Sequence, residues 1–348
     1  MATESPAFAQ VGKAARIAVL GAGSWGTALA IHLARGGAEV RLCARSAEVV
    51  DAIRAGRRNP WYLADVDLPP GVEATTDVAR AAAAATLLIV AVPSEFFGAT
   101  VARLGEVAAP VVSATKGFEP TRHRRMSELV AERWPDAPMA VLSGPTFARE
   151  VALARPAAAV IASRDAELAA ELQRRLGSRE FRLYTNGDVV GVEVGGALKN
   201  VIALATGIAD GLGLGENARA ALVTRGLAEI TRLAAAMGGE PATLAGLAGL
   251  GDLVLTSTGT LSRNRALGMA LGRGESRERA QHATRMVAEG VPTVRAALAL
   301  AERHGVALPI AREVAAVLFE GKSPADALAS LLGRVVTRED ASVGERNA

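Results

Sequence analysis

The sequence predicts two units of different class, a doubly wound, mostly parallel α/β unit followed by an all-helical one. Three observations carry that prediction. Short apolar runs alternate with helix-length segments in the first half, a glycine-rich turn joins the first run to the first helix, and no further β-branched run bounded by turns follows Asn186-Gly187. At 348 residues, 50% apolar and 22% charged, the chain has globular composition and enough length for two cores.

Residues 1–13 read as a loose polar N-terminus without the apolar core of a signal peptide. Residues 14–187 read as the α/β unit. Its first strand, RIAVL (16–20), enters GAGSWG (21–26) and the helical TALAIHLARGG; the second, AEVRLCAR, ends near Arg45. Further strands are expected at TLLIVAV (86–92), PVVSAT (110–115), MAVLSG (139–144), AAAVIAS (157–163) and FRLYT (181–185), separated by helix-length segments such as 121–133. Residues 188–337 read as helical, with helices through EVGGALKNVIALATG (193–207) and at 217–237, 262–272, 292–304 and 309–319; 338–348 form a polar tail. Between Asn217 and Met237 the residues Val223, Leu227, Ile230 and Met237 form an apolar stripe, with Arg225, Glu229 and Arg232 mostly off it.

Composition excludes several classes of function. The 39 basic residues barely exceed the 36 acidic ones, no basic run is concentrated and aromatics are 3% of the chain, so no nucleic-acid partner is expected. Alanine-rich runs meet charges or glycines before reaching membrane-spanning length, which argues against stable membrane insertion. The single cysteine, Cys43, excludes an internal disulfide framework and fits a reducing cytoplasm. The four histidines lie outside the motifs below, so no metal site is inferred.

GAGSWG fits a dinucleotide-binding turn because a strand precedes it and a helix and second strand follow. Gly21 permits the tight turn, Gly23 lets the backbone approach a pyrophosphate, and Gly26 allows close helix-to-strand packing; Ser24 and Trp25 open the helix whose N-terminus faces the phosphates. This is the Rossmann arrangement. The second strand ends Cys43-Ala44-Arg45-Ser46 without an acid to bond a ribose hydroxyl, and Arg45 suits an added phosphate, so NADPH is the expected cofactor with NADH as a second.

Only four lysines stand beside thirty-five arginines, and a lysine can lose its proton when desolvated whereas an arginine cannot. Lys199 and Glu193 are the only charges in EVGGALKNVIALATG. The lysine leans over Gly195 and Gly196, two interior glycines that each cost a helix about 1 kcal/mol, which suggests a close approach there and room for a substrate. Desolvation lowers its pKa; the competing reading is a structural lysine paired with Glu193 or Asp252. Lys116 follows a strand at the carboxyl edge of the sheet, where such sheets bind ligands. Ser262 is a plausible N-cap, and the amides and Arg263 behind it would converge on a phosphate.

The stretches GAGSWGTALA (21–30), AVPS (91–94), SATKG (113–117), LSGPTFAREVA (142–152), EVGGALKNVIALATG, GLAGLGDLVLT (246–256), SRNRALG (262–268) and VAEGV (287–291), in this order, resemble the bacterial NAD(P)-dependent glycerol-3-phosphate dehydrogenases. The resemblance implies a Rossmann domain, a helical domain, a homodimer, and reversible reduction of dihydroxyacetone phosphate to sn-glycerol 3-phosphate for phospholipid synthesis. It implies that Lys199 is the proton donor and acceptor and that Lys116 touches both substrate and cofactor. Gly144 and Thr146 would bond the substrate, as would Ser262, Arg263 and Asn264, with Arg263 also on the cofactor. Ala148 would lie along the cofactor, and Val287 and Glu289 would close over it. Asp252, after GLAGLG, either orients Lys199, bonds a substrate hydroxyl or caps a helix. The resemblance is broken at Glu95-Phe96-Phe97, more apolar than the family pattern. Two other readings stay open: a 6-phosphogluconate or 3-hydroxyacid type of dehydrogenase, and a nicotinamide-binding redox sensor without catalysis.

Overall fold

The computed structural model describes residues 15–282 and 288–335, so Val287 and the segments 1–13 and 338–348 lie outside the described residues. Strands and helices alternate at first: β1 (Arg16–Leu20), α1 (Ser24–Arg35), β2 (Glu39–Cys43), α2 (Ala47–Gly56), a hairpin of β3 (Arg58–Asn59) and β4 (Leu63–Asp67), β5 (Val72–Thr75), α3 (Val78–Ala82), β6 (Leu87–Val90), α4 (Ser94–Val101), β7 (Val111–Ser113), α5 (Met126–Arg133), β8 (Met139–Ser143), α6 (Ala148–Ala152), β9 (Ala157–Ala162), α7 (Ala166–Leu176) and β10 (Phe181–Asn186). Only helices follow among the described residues: α8 (Val189–Gly211), α9 (Gly215–Ala236), α10 (Pro241–Leu244), a π-helical turn (Leu247–Gly251), α11 (Asp252–Thr258), α12 (Arg263–Gly272), α13 (Arg277–His282), α14 (Gly290–His304), α15 (Pro309–Phe319) and α16 (Pro324–Leu332).

Eight strands form one sheet in the order β10-β9-β8-β7-β6-β1-β2-β5, parallel throughout except between β8 and β9. The inner strands are apolar on both faces because helices cover both. Along β1, Ile17 and Val19 join the core beneath α1, and Ala18 and Leu20 join the core that holds Phe97, Leu129 and Trp134. Helix α8 fills the centre of the second half, with Leu198, Val201, Ile202 and Leu204 in a core shared with α9, α12, α14 and α15. It is long and apolar enough to cross a membrane, yet its apolar window is wholly buried by its neighbours.

Several sequence expectations are corrected. The segment 121–133 is helical only from Met126, since His123 sits at φ 58° and Arg125 is extended. The β3–β4 hairpin, the edge strand β5 and helices α2 and α16 went unread, being short or polar on alternate residues. The helical period puts Glu229 mostly off the apolar stripe of α9, yet it is itself buried. Its carboxylate accepts the amide N–H groups of Ile310 (2.6 Å) and Ala311 (3.3 Å), the free donors at the start of α15. Burial pushes this carboxyl up to about 7 against those two hydrogen bonds.

Glu193, one of three charged residues on α8 with Lys199 and Asp210, ties that helix to the α/β half. Its carboxylate accepts from the Ser127 amide (2.8 Å), the Ser127 hydroxyl (2.5 Å) and the Arg125 guanidinium (2.8 Å) at the start of α5. Glu193→Ala leaves the Arg125 charge and the Ser127 donors without this acceptor, and breaking a buried pair in this way costs about 3–5 kcal/mol. Urea unfolding of the variant is expected to show a loss of that size; an unchanged midpoint would mean that the tie contributes nothing.

Candidate functional site

The carboxyl ends of β1, β2, β6, β7 and β8 open onto a cavity of about 740 Å³, roofed by residues from α8, α11, α12 and the start of α14. The glycine-rich turn forms its floor. Gly21 has φ +112°, and a Cβ there would meet the Ala91 carbonyl oxygen at 2.5 Å; a Cβ on Gly26 would overlap the Gly21 carbonyl oxygen. Gly23 has no atom within 4 Å of where its Cβ would be, so a ligand can reach the backbone there. Ser24 and Trp25 also line the cavity, and the buried Trp25 indole N–H has no partner among the described residues. An open glycine backbone, a helix N-terminus and a buried unpaired donor suit the diphosphate of a dinucleotide.

Arg45 lines the cavity at the end of β2, its guanidinium 5.2 Å from the centroid of the Phe96 ring. The apolar Glu95-Phe96-Phe97 stretch thus divides its tasks: Phe97 fills the core and Phe96 forms cavity wall.

Opposite this floor stands a buried cluster of three charged side chains. Asp252 is fully buried, and each of its oxygens accepts from one lysine: Oδ1 from Lys199 Nζ at 2.5 Å and Oδ2 from Lys116 Nζ at 2.6 Å. Lys199 also donates to the Thr256 hydroxyl (2.9 Å), and Lys116 to the Gly144 carbonyl (3.0 Å). Burial drives the Lys199 ammonium down to about 7; the Asp252 carboxylate opposes that fall and the Lys116 ammonium adds to it. Such an amine can give or take a proton near neutral pH.

Gly195 and Gly196 explain how the cluster assembles, and their role differs from the one expected. A Cβ on Gly195 would lie 2.8 Å from the Ala248 carbonyl oxygen in the π-helical turn, and one on Gly196 would lie 2.6 Å from the Ser143 hydroxyl. The gap above these glycines is therefore filled by protein. One approach seats the π-helical turn, which leads into Asp252; the other seats the end of β8, next to Gly144.

A second close approach brings up the remaining residues. Helices α8 and α12 cross with Gly207 against the Arg265 carbonyl and Gly268 against the Leu204 carbonyl, where a Cβ would come within 2.2 Å of oxygen in each case. Ser262 caps α12 by accepting the Arg265 amide (3.2 Å), and Ser262, Arg263 and Asn264 all face the cavity. The Asn264 side chain accepts the Gly290 amide (3.0 Å) and donates to Asn200 Oδ1 (2.9 Å). Glu289, one residue before Gly290, is half-buried at the cavity wall. Burial raises its carboxyl above the usual range, while the nearby Arg263, Lys116 and Lys199 charges pull it back.

Of the remaining expected residues, Thr146 and Ala148 line the cavity, and the Thr146 hydroxyl donates to the Gly144 carbonyl (3.1 Å). Gly26, Gly144 and Asp252 support the site from behind its surface, and Val287 lies outside the described residues. Asp252 does not cap α11; it serves the two lysines. Sequence reasoning missed Asn200, whose buried Nδ2 has no partner among the described residues, and Thr256. Both had a local signal: Asn200 adjoins Lys199, and Thr256 lies one helical turn beyond Asp252. The hairpin residues Trp61 and Tyr62 at the cavity wall had none.

Profiles of the NAD-dependent glycerol-3-phosphate dehydrogenase family match the chain in both halves, the N-terminal one over residues 16–169 and the C-terminal one over 188–329. The chain is 49% identical over 330 residues to a glycerol-3-phosphate dehydrogenase (NAD(P)+) of Geobacter sulfurreducens, covering 93% of this chain and 98% of that protein. It is 51% identical over 337 residues to the Koribacter versatilis enzyme of the same name, covering 93% and 98%. A crystal structure of glycerol-3-phosphate dehydrogenase from Coxiella burnetii superposes with a TM-score of 0.90 at 42% identity, covering 92% of this chain and all of that one.

The shared carboxylate makes a measurable demand. Asp252→Asn removes the charge that holds protons on Lys199 while the Lys116 ammonium stays, so Lys199 is expected to titrate below about 7. With four lysines in the chain, ¹³C labelling of the lysine ε-carbons gives few enough signals to follow directly. A midpoint equal to or above that of the parent would show that Asp252 is not the dominant counter-ion.

Proposed function

We infer the reaction from one premise, that the chain belongs to the NAD-dependent glycerol-3-phosphate dehydrogenase family. The reaction is the reversible reduction of dihydroxyacetone phosphate to sn-glycerol 3-phosphate with a nicotinamide cofactor. The observation that carries the reading is Lys199: a buried amine of lowered proton affinity at the wall of a cavity that joins a dinucleotide turn to an anion-ready helix start.

The nicotinamide, when bound, supplies or accepts the hydride. The chain's own residues manage charge and protons. Lys199 gives its proton to the substrate oxygen during reduction and recovers one during oxidation, with Asp252 and Thr256 fixing the amine in place. Lys116, held by Asp252 and the Gly144 carbonyl, adds positive charge where the alkoxide develops. Arg263 and the first amides of α12 hold the phosphate dianion, with Asn264 and Asn200 orienting the carbon chain. Gly21, Gly23, Ser24, Trp25, Ala148 and Glu289 hold the dinucleotide.

Arg45 at the end of β2, with no acid beside it, favours NADPH as the main cofactor and NADH as a second. In the same reading, residues 14–187 are the cofactor domain and 188–337 the substrate domain of a cytoplasmic homodimer that supplies phospholipid synthesis. The buried free thiol of Cys43 suits a reducing compartment.

Purified protein is expected to oxidise NADPH when dihydroxyacetone phosphate is added. Because the folded-state pKa of Lys199 is lowered to about 7, its acid form is lost as pH rises through that value. The reduction rate should therefore fall across this range, and the rate of glycerol phosphate oxidation should rise. Lys199→Ala should lose far more than tenfold in turnover, a barrier increase above ~1.4 kcal/mol, while still binding cofactor. Turnover within tenfold of the parent would remove Lys199 from the proton step; no oxidation of NADPH with this ketone would overturn the reaction.

A further inference from the structure

The β3–β4 hairpin carries a side chain that neither the family motifs nor the reaction above uses. Asn59 is fully buried, 37 residues from the glycine turn in sequence, yet its Nδ2 donates to the Ala22 carbonyl oxygen at 2.8 Å and to the Thr27 hydroxyl at 2.9 Å. Its Oδ1 is buried with no partner among the described residues. A buried amide acceptor left unpaired costs free energy, so the donors at its other end must outweigh that loss. Ala22 belongs to the dinucleotide turn, and its carbonyl can only accept, which fixes the NH2 end of the carboxamide on that side.

The geometry of a trans peptide gives this bond a consequence on the far side of the turn. In the Ala22-Gly23 peptide the C=O and N–H point in opposite directions. With the carbonyl held by Asn59, the Gly23 N–H is turned away from the Asn59 side, and Gly23 itself lines the cavity. Gly23, on one side of this peptide, has no Cβ to keep a ligand away, but for the same reason it also leaves the peptide plane freer to rotate. A turn built for access needs an external pin.

We propose that Asn59 is a positioning residue for cofactor binding: by holding the Ala22 carbonyl it aims the Gly23 amide at the diphosphate of the bound dinucleotide. Thr27, its second partner, secures the carboxamide to α1 and takes no part in aiming the amide. The proposal rests on the cavity being the dinucleotide site, and its test separates the two claims.

The test compares binding of NADP+ with that of adenosine 2′-monophosphate, which lacks a diphosphate, by calorimetry on the full chain. The wild type binds both if the cavity is the dinucleotide site; a wild type that ignores NADP+ overturns the cofactor reading itself. Asn59→Ser should weaken NADP+ by about tenfold, the loss of one hydrogen bond's worth of orientation, and leave the monophosphate within about twofold. Thr27→Val keeps the Ala22 bond and should bind NADP+ within about twofold of wild type even if it melts earlier. Asn59→Asp gives a readout that does not depend on the serine variant folding. Its carboxylate cannot donate, so NADP+ affinity should be low at alkaline pH and recover on acidification, when the buried carboxyl is protonated and donates again. The wild type should show no such recovery. Equal loss of both ligands in Asn59→Ser, equal loss of NADP+ in Thr27→Val, or an affinity in Asn59→Asp that tracks the wild type across pH would overturn the proposal.

Discussion

The structure is organised around the need to keep one ammonium, that of Lys199, both buried and supplied with a counter-ion. Leaving a charge of this kind without a partner in a protein interior costs several kcal/mol, enough to remove much of a domain's net stability. Full solvation would restore the ordinary pKa and remove the lowered proton affinity on which the proposed proton transfer depends. The compromise is a lysine on the most buried helix, facing a cavity on one side and a carboxylate on the other. Much of the surrounding architecture follows. The π-helical turn delivers Asp252 and the segment after β7 delivers Lys116, while Gly195 lets the π-helical turn, and Gly196 the end of β8, approach α8 closely.

The same logic accounts for the unequal use of the two basic residues. Arginine supplies most of the positive charge in this chain, and at the cavity it stands where the proposed reaction needs permanent charge: Arg263 at the start of α12 and Arg45 after β2. Lysine appears at the two positions that share Asp252. Two ammonium groups share one carboxylate, so Asp252 offsets the effect of burial on the deeper amine less than it would for a single lysine, and proton affinity there stays low. An arginine in place of Lys199 would hold the charge but could not release it.

What was legible in the sequence was what is local. The glycine turn, the strand ends carrying Arg45 and Lys116, and the Ser262 cap each declare themselves within a few residues, because dihedral freedom, burial and capping are short-range constraints. The pairing of Lys199 with Asp252 over 53 residues is named by the sequence only as one of two alternatives, and the pairings of Lys116 with Asp252 over 136 and Asn59 with Ala22 over 37 are not legible at all. Glu229 shows why pattern alone fails. A helical-period reading sends a charge to solvent, whereas here the start of α15 presents two unpaired amides that a buried carboxylate can satisfy. Gly195 and Gly196 were rightly read as a sign of close approach, but the approaching group is the protein's own backbone and Ser143 side chain.

Glu193 and Lys199 sit six residues apart on α8, both buried, both charged, and the sequence treats them alike. Their surroundings separate them. Glu193 receives three donors from one short stretch of α5, none of which lines the cavity, so its charge is spent on holding the two halves of the chain in register. Lys199 shares its carboxylate with a second lysine and borders open space, so its charge is held less firmly and has somewhere to send a proton. In the proposed reaction the first charge makes the second useful, because a proton donor must keep its place to within a fraction of an ångström against its substrate. A helix fixed at its N-terminal part by one buried charge can present the other, less than two turns on, at a defined point over the edge of the sheet.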